Sequence, residues 1–333
     1  MRHVEIAGSH YELGLAYGRI VSEQKLDWWW TQPSAAKLAF VLACEREIAL
    51  HAPGFLEEIR GMADACGADY PMILSNMAVT YYERPACNVV AVAGAGCRNG
   101  RTIVARNHDW IDEDREWLTC FRTNPQNGLR SIGFGFADPG RYDGVNEAGL
   151  AMAGAAIYYR NRPQPGLRMN VVTRWVLDTC SDTPSAVDYL QRIPHHEGIS
   201  YLLADKEGCI ARVEAAPERV EVAFSRDGML AAINLFQSPG MAQLECAPGR
   251  EHLVHRHRQR IAAWYDDHQG RVDLAAAQRL CRDHGIGLCD HGAGRSEPFG
   301  TIYSWVAELG SGELYVADGR PCQNEYRRIV LGG

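Results

Sequence analysis

Between Cys87 and Trp110 the chain reads CNVVAVAG, AGCRNG and RTIVARNHDW. The two flanks are apolar and β-branched. The middle carries Gly94, Gly96, Asn99 and Gly100, which supply the positive-φ positions a turn needs. The stretch therefore reads as a β-hairpin. Pairing Gly94 near Arg101 in antiparallel register sets residue 87 opposite about residue 108. A thiol at the start of one strand then faces Arg106, Asn107 and Asp109 at the end of the next. A thiol, a guanidinium and a carboxylate gathered in this way suggest a cysteine nucleophile.

The hairpin divides the chain. Residues 1–86 are helical in pattern and contain no convincing long strand. Ser9 and Glu12 form an S-x-x-E capping pair, with Leu13, Tyr17, Ile20 and Val21 following at helical spacing. Pro33-Ser34 and Pro53 open two more helices, and Asp69 to Glu83 reads as a fourth. Pro85 forbids its continuation and turns the chain into Cys87. After residue 87 strands dominate: 117–123, 129–136 and 150–158, then two helices over 169–180 and 183–193. Strands return at 199–204, 210–215, 220–224 and 230–235. Helices over 251–268 and 274–284 precede a closing hairpin that turns near Gly310 to Gly312. Asp143 to Gly149 reads as turn chemistry. Runs of strands, then helices, then strands predict α+β layers, with a helical segment over 1–86 and a second region over 87–333 that begins with Cys87.

Charge and cysteine content remove whole classes of function. Formal net charge is -7 and pI about 6.0, so no global basic field favours nucleic acid or an anionic membrane. The basic run HLVHRHRQR, from His252 to Arg260, reads as the solvated face of a helix. No apolar run approaches the roughly 20 residues needed to span a bilayer, and the N-terminus lacks a secretory apolar core. Eleven cysteines at irregular spacing read as reduced thiols, which makes the cytoplasm the expected location.

A thiol becomes a useful nucleophile when a nearby cation lowers its pKa. Arg106 across the hairpin fits that role. Asp109 does not activate a thiolate directly, because like charge opposes ionisation. A carboxylate there makes better sense holding an ammonium, and the one expected beside Cys87 is its own α-amine, exposed by a cut after Ala86. An α-amine titrates near neutrality and suits a general base. Taken without that context, Arg106 and Asp109 read equally as a surface ion pair.

The pattern C-x-V-x-A…G-R-T-I-V-A-R-N-x-D-W resembles the N-terminal-nucleophile cysteine hydrolases. Within them it is similar to the acyl-coenzyme A:6-aminopenicillanate (penicillin) acyltransferase family, with bile salt hydrolases and penicillin V acylases as more distant relatives. GSHYELGLAYG, DGVNEAGLAMAG, AAINLF and TIYSWVAELGSGELYVADGRPC match further segments of that family in the same order, so the resemblance spans nearly the whole chain. It implies a four-layer αββα sandwich, with Cys87 as nucleophile after self-cleavage at Ala86-Cys87. It also implies Arg106 and Asp109 holding the thiolate and the α-amine. Asn234 matches the family's oxyanion asparagine, and the backbone amide of Ala156 is the implied second donor. Two positions depart from the pattern: Ile233-Asn234-Leu235 stands where Thr-Asn-His is usual, and Ala86 where glycine is familiar. The implied function is cleavage or exchange of a non-peptide N-acyl amide of a small molecule through a thioester. Hydrolysis is the less demanding outcome, and an acyl donor or acceptor amine is the added partner in a transferase. No cofactor, nucleic acid or membrane is expected.

Two other readings compete. A papain-like thiol protease would use Cys87 with a distant histidine such as His291, but no C-G-S-C-W-like signature is present. A non-catalytic scaffold would hold zinc through Cys281, His284, Cys289 and His291. Their C-x2-H-x4-C-x-H spacing departs from the usual zinc arrangements, so no metal is expected. Asn146 reads as a structural turn residue, and Trp28 to Trp30 as core with partial exposure.

Overall fold

Alternation along the strands decides how the layers stack. The structure, a computed structural model, describes residues 1–25, 30–78, 87–136, 138–246, 251–292 and 298–331. In chain order the elements are β1 (Arg2–Gly8), α1 (His10–Gln24), α2 (Ala35–His51), α3 (Pro53–Cys66) and α4 (Tyr70–Ala78). There follow β2 (Cys87–Ala93), β3 (Ile103–Ile111), β4 (Thr119–Pro125), β5 (Ser131–Gly135), β6 (Asp143–Asn146) and β7 (Leu150–Ala156). After α5 (Met169–Thr179) and α6 (Thr183–Arg192) come β8 (Ile199–Asp205), β9 (Ile210–Ala216), β10 (Arg219–Ser225) and β11 (Gly228–Ala232). The chain ends with α7 (Glu251–His268), α8 (Leu274–Arg282), β12 (Phe299–Glu308), β13 (Glu313–Asp318) and β14 (Arg327–Val330).

The strands form two sheets. One has eight strands in the order β1-β4-β5-β6-β7-β8-β9-β10, the other six in the order β11-β2-β3-β12-β13-β14. Successive side chains leave opposite faces of a strand, so each sheet presents two apolar surfaces. Val89, Ala91 and Ala93 of β2 meet Ala151, Ala153 and Ala155 of β7 in a core between the sheets, filled out by Phe134, Tyr303 and Trp305. Val90 and Val92 face the other way, onto Ile261 of α7 and Leu280 of α8. Leu150 and Met152, the alternate residues of β7, pack beneath α1 to α6. The result is a four-layer αββα sandwich, as the family resemblance implies.

The amino-terminal region departs from the sequence reading in one respect. Besides its helices it contributes β1, which pairs in parallel with β4, from Arg2 opposite Thr119 to Gly8 opposite Pro125. Only Ile6 of this edge strand is buried, so its apolar alternation is faint. The Ser9–Glu12 capping box is formed in full at the start of α1. Gly14 explains the following G-x-x-x-G spacing, since a Cβ there would lie 2.1 Å from the Glu58 carbonyl oxygen of α3. The fourth helix runs over Tyr70–Ala78; Pro85, Ala86, Trp28 and Trp29 lie outside the described residues, while Trp30 packs at the helical core.

A second correction concerns Asp143 to Asn146, which form β6 and not a turn. All four are buried in the eight-stranded sheet. Gly144 is required by close approach: a Cβ would meet the Ile132 carbonyl oxygen at 2.4 Å. Asn146 is structural as expected, donating to the carbonyls of Leu177 and Cys180 and accepting from the Leu150 amide. No described helix is long and apolar enough to cross a membrane.

Candidate active site

The hairpin register places Cys87 opposite His108 and Val89 opposite Arg106. Paired residues share a face, so Cys87, Arg106 and His108 all project between the sheets. Arg106 Nη2 donates to Cys87 Sγ at 3.3 Å, and its Nε donates to Asp143 Oδ2 at 2.8 Å. Asp143 also accepts from the Tyr303 hydroxyl at 2.7 Å and from Trp305 Nε1 at 2.9 Å. Arg106 and Asp143 are both 0% exposed, which rules out a surface ion pair. Cys87 itself retains 8% exposure.

Burial disfavours the thiolate and pushes the Cys87 thiol above its ordinary pKa, while Arg106 pulls in the opposite direction and the charges of Asp109 and Asp143 add to the rise. In the intact chain burial wins, against the expectation that Arg106 alone sets the thiol low. Burial also works against the Arg106 charge, but Cys87 when ionised and the paired Asp143 act the other way and raise its pKa. Burial raises the Asp143 pKa, and the three donors that converge on its carboxyl pull in the opposite direction.

His108 lies closest to the thiol among the histidines with described side chains. Its Nδ1 is 4.0 Å from Cys87 Sγ, 3.0 Å from Arg106 Nη2 and 3.2 Å from the Tyr303 hydroxyl, and its ring stacks on Tyr303. Burial and then Arg106 hold its pKa well below the usual histidine value. A guanidinium can only donate, so Nδ1 accepts and the ring proton sits on Nε2. A neutral imidazole already engaged by Arg106 is a poor general base. His291, the histidine of the protease reading, lies instead against His284 and Cys322.

Asp109 is turned differently from the expectation. As the residue after His108 it leaves the opposite face, where Thr301 Oγ1 donates to its Oδ1 at 2.6 Å and Asn88 Nδ2 approaches Oδ2 at 3.5 Å. Thr301 pairs directly with Asp109, and the register of β12 on β3 shifts between Thr301 and Tyr303. Asp109 still acts on the site: its backbone hydrogen-bonds the thiol, and its charge raises the Cys87 pKa. Neighbouring Asn107, on the same outer face, donates to the Cys281 and Leu288 carbonyls.

The backbone nitrogen of Cys87 donates to Asn234 Oδ1 at 2.8 Å, and Asn234 Nδ2 donates to the Ala156 carbonyl at 2.8 Å. A tight turn just past β11, with the Leu235 amide on the Ile233 carbonyl at 2.7 Å, puts Asn234 at its tip. Asn234 and Ala156 are thus brought to Cys87, but through the Ala156 carbonyl and not its amide. The Ala86–Cys87 bond lies outside the described residues. Sequence reasoning missed Asp143, Tyr303 and His108. The quoted DGVN and TIYSW segments held the signal for the first two, and the RNHDW run for the third.

The sequence model of one family, described as "Acyl-coenzyme A:6-aminopenicillanic acid acyl-transferase", matches residues 97–322. Cys87 precedes the matched stretch. A search of curated proteins finds no match to this chain. Among solved structures, penicillin V acylase from Agrobacterium tumefaciens is 18% identical, covering 70% of this chain and 83% of that one, with a TM-score of 0.48. A variant of conjugated bile acid hydrolase from Clostridium perfringens is 16% identical over 73% of this chain and 96% of that one, with a TM-score of 0.47. The Caenorhabditis elegans ortholog of N-acylethanolamine-hydrolyzing acid amidase is 14% identical over 67% and 92%, also at 0.47.

Proposed function

Because the chain belongs to the acyl-coenzyme A:6-aminopenicillanic acid acyltransferase family, and so to the N-terminal-nucleophile hydrolases, we propose that it is a cysteine amidohydrolase. Its substrate in this reading is a non-peptide N-acyl amide of a small molecule. One observation carries the assignment: both reactive ends of Cys87 are provided for, the thiol by Arg106 and the nitrogen by Asn234.

Self-cleavage before Cys87 converts its nitrogen into an α-amine. A buried thiol held protonated needs a base, and this amine takes the proton at neutral pH. The thiolate, facing Arg106, attacks the amide carbonyl. Asn234 Nδ2 carries two N–H groups, one of which is used by the Ala156 carbonyl, so the second serves the developing oxyanion. The Ala156 backbone amide is the other proposed donor. The α-ammonium then returns its proton to the leaving nitrogen, the C–N bond breaks, and a thioester remains on Cys87. Water releases the acid; capture by an acceptor amine would make the same site a transferase. Asp109 supplies negative charge from the far face of the strand pair, favouring the ammonium over the free amine.

Intact mass spectrometry tests this directly. The wild-type protein should show two chains, 1–86 and 87–333, and Cys87→Ala should leave one uncut chain of 37.0 kDa. An active wild-type enzyme that stays uncut would overturn the α-amine base.

A further inference from the structure

Outside the Cys87 site, four side chains converge on one point at the rim of the six-stranded sheet. They are His284, Cys289 and His291, from the segment after α8, and Cys322, from the segment after β13. We infer that they form a tetrahedral Cys2His2 site for zinc, structural in role. Cys281, the fourth residue of the scaffold reading that the sequence spacing argued against, is not among them and is buried against Ser304 and Tyr326.

The distances carry the assignment. Cys289 Sγ lies 3.5 Å from Cys322 Sγ and 3.7 Å from His291 Nε2. His291 Nε2 lies 3.2 Å from Cys322 Sγ and 3.2 Å from His284 Nε2. With Zn–S near 2.3 Å and Zn–N near 2.05 Å, tetrahedral angles set ligand edges at about 3.8 Å for S to S, about 3.6 Å for S to N and about 3.3 Å for N to N. Each observed edge falls within about 0.4 Å of its ideal. The two Nε2 atoms face one another, and the imidazole planes cross at 82° without stacking.

Donor chemistry selects the ion. Two thiolates and two neutral imidazoles suit zinc, and four protein ligands close the coordination shell, leaving no position for water or substrate. Binding converts the two thiols to thiolates and releases two protons to solvent. His284 and His291 are exposed, which gives the ion an entry path.

The site bears on the active site through two hydrogen bonds. Asp290, between the ligands Cys289 and His291, donates its backbone N–H to Thr301 Oγ1 at 2.9 Å. Thr301 in turn donates to Asp109 at 2.6 Å. An ion holding residues 289 and 291 therefore fixes the donor that orients Asp109.

Metal analysis of the full chain, purified under a thiol reductant without chelator, should give about one zinc per chain. Cobalt added to the stripped protein should give the thiolate charge-transfer band and intense visible bands of tetrahedral Co2+. Both should be absent in a Cys289→Ser/Cys322→Ser protein and weakened in His284→Asn, with circular dichroism monitoring the fold of each variant. Stripping the wild-type protein should also lower its melting temperature. Because the wild-type measurements stand alone, a variant that fails to fold does not rescue the idea. Wild-type protein with neither zinc nor a cobalt band overturns it. So does a Cys289–Cys322 disulfide found by mass spectrometry under the same reductant, or cobalt bands that persist in the double variant. Uncut or inactive protein that nonetheless binds zinc would count against the amidohydrolase reading alone.

Discussion

Arg106 and Asp143 join the two sheets: the guanidinium belongs to the six-stranded sheet, the carboxylate to the eight-stranded one, and they meet at 2.8 Å with neither exposed. Tyr303 and Trp305 of β12 reach across to the same carboxylate. The residue that faces the thiol is thus also the tie between layers.

Replacing Asp143 by asparagine should therefore lower the free energy of unfolding by about 3–5 kcal/mol, because Arg106 stays charged and buried without its partner. Urea melts measure this. Combining Asp143→Leu with Arg106→Met should recover much of the stability and none of the activity. An Asp143→Asn protein as stable as wild type would mean that the cross-sheet pair contributes nothing.

Arg106 favours the ionised thiol, so Arg106→Gln should move the pH midpoint of Cys87 alkylation upward, an opposite charge at this range being worth about 1–3 in pKa. The assay follows iodoacetamide labelling of Cys87 by peptide mass spectrometry across pH. An unchanged midpoint would remove Arg106 from thiolate stabilisation.

Asn234→Ala should reduce turnover by about 10²–10³ through loss of one oxyanion donor, with the fold intact. It should also slow self-cleavage, because Asn234 Oδ1 holds the Cys87 nitrogen. Steady-state kinetics on the cut form and a cleavage time course separate the two effects. Wild-type values in both would exclude Asn234.

The slope of stability against pH reports on His108. Its folded pKa lies well below 6.5, so below that pH the unfolded chain takes up a proton that the native state refuses. Stability is full above the unfolded pKa and falls as pH drops toward the folded one. His108→Gln should flatten the slope of unfolding free energy by up to about 1.4 kcal/mol per pH unit below pH 6.5. Comparison with wild type matters, because Asp138 and Glu197 are buried acids raised to about 6 and about 7 and act with the opposite sign. Identical slopes would show that His108 is protonated in the folded chain.

The hairpin was legible because its glycines and β-branched flanks fix both turn and register, and Cys87 does lie opposite His108. That one-residue accuracy exposes what was missed. Asp109 follows His108 and so belongs to the other face, a consequence of two-residue alternation. β1 escaped because a mostly exposed edge strand has little apolar period and pairs with a strand more than a hundred residues away. Asp143 was hidden by Gly144 and Asn146, which read as turn residues although one serves close packing and the other ties down α5. Cys322 joins His291 only through the return of β12 and β13, which no local spacing reveals.

One feature of the sheets governs what a cut before Cys87 leaves behind. β2 lies between β11 and β3, so the strand that begins at the new terminus stays held: from Val89 onward it pairs on both sides, and Cys87 itself pairs with His108 of β3. The piece ahead of it contributes the outer edge strand of the other sheet, and its helices share one apolar core with α5, α6, β7 and β8. Such a protein would be a heterodimer whose subunit interface is the inside of a former single domain. Its two polypeptides would have no separate folded lives, and dissociation would be indistinguishable from denaturation at any dilution.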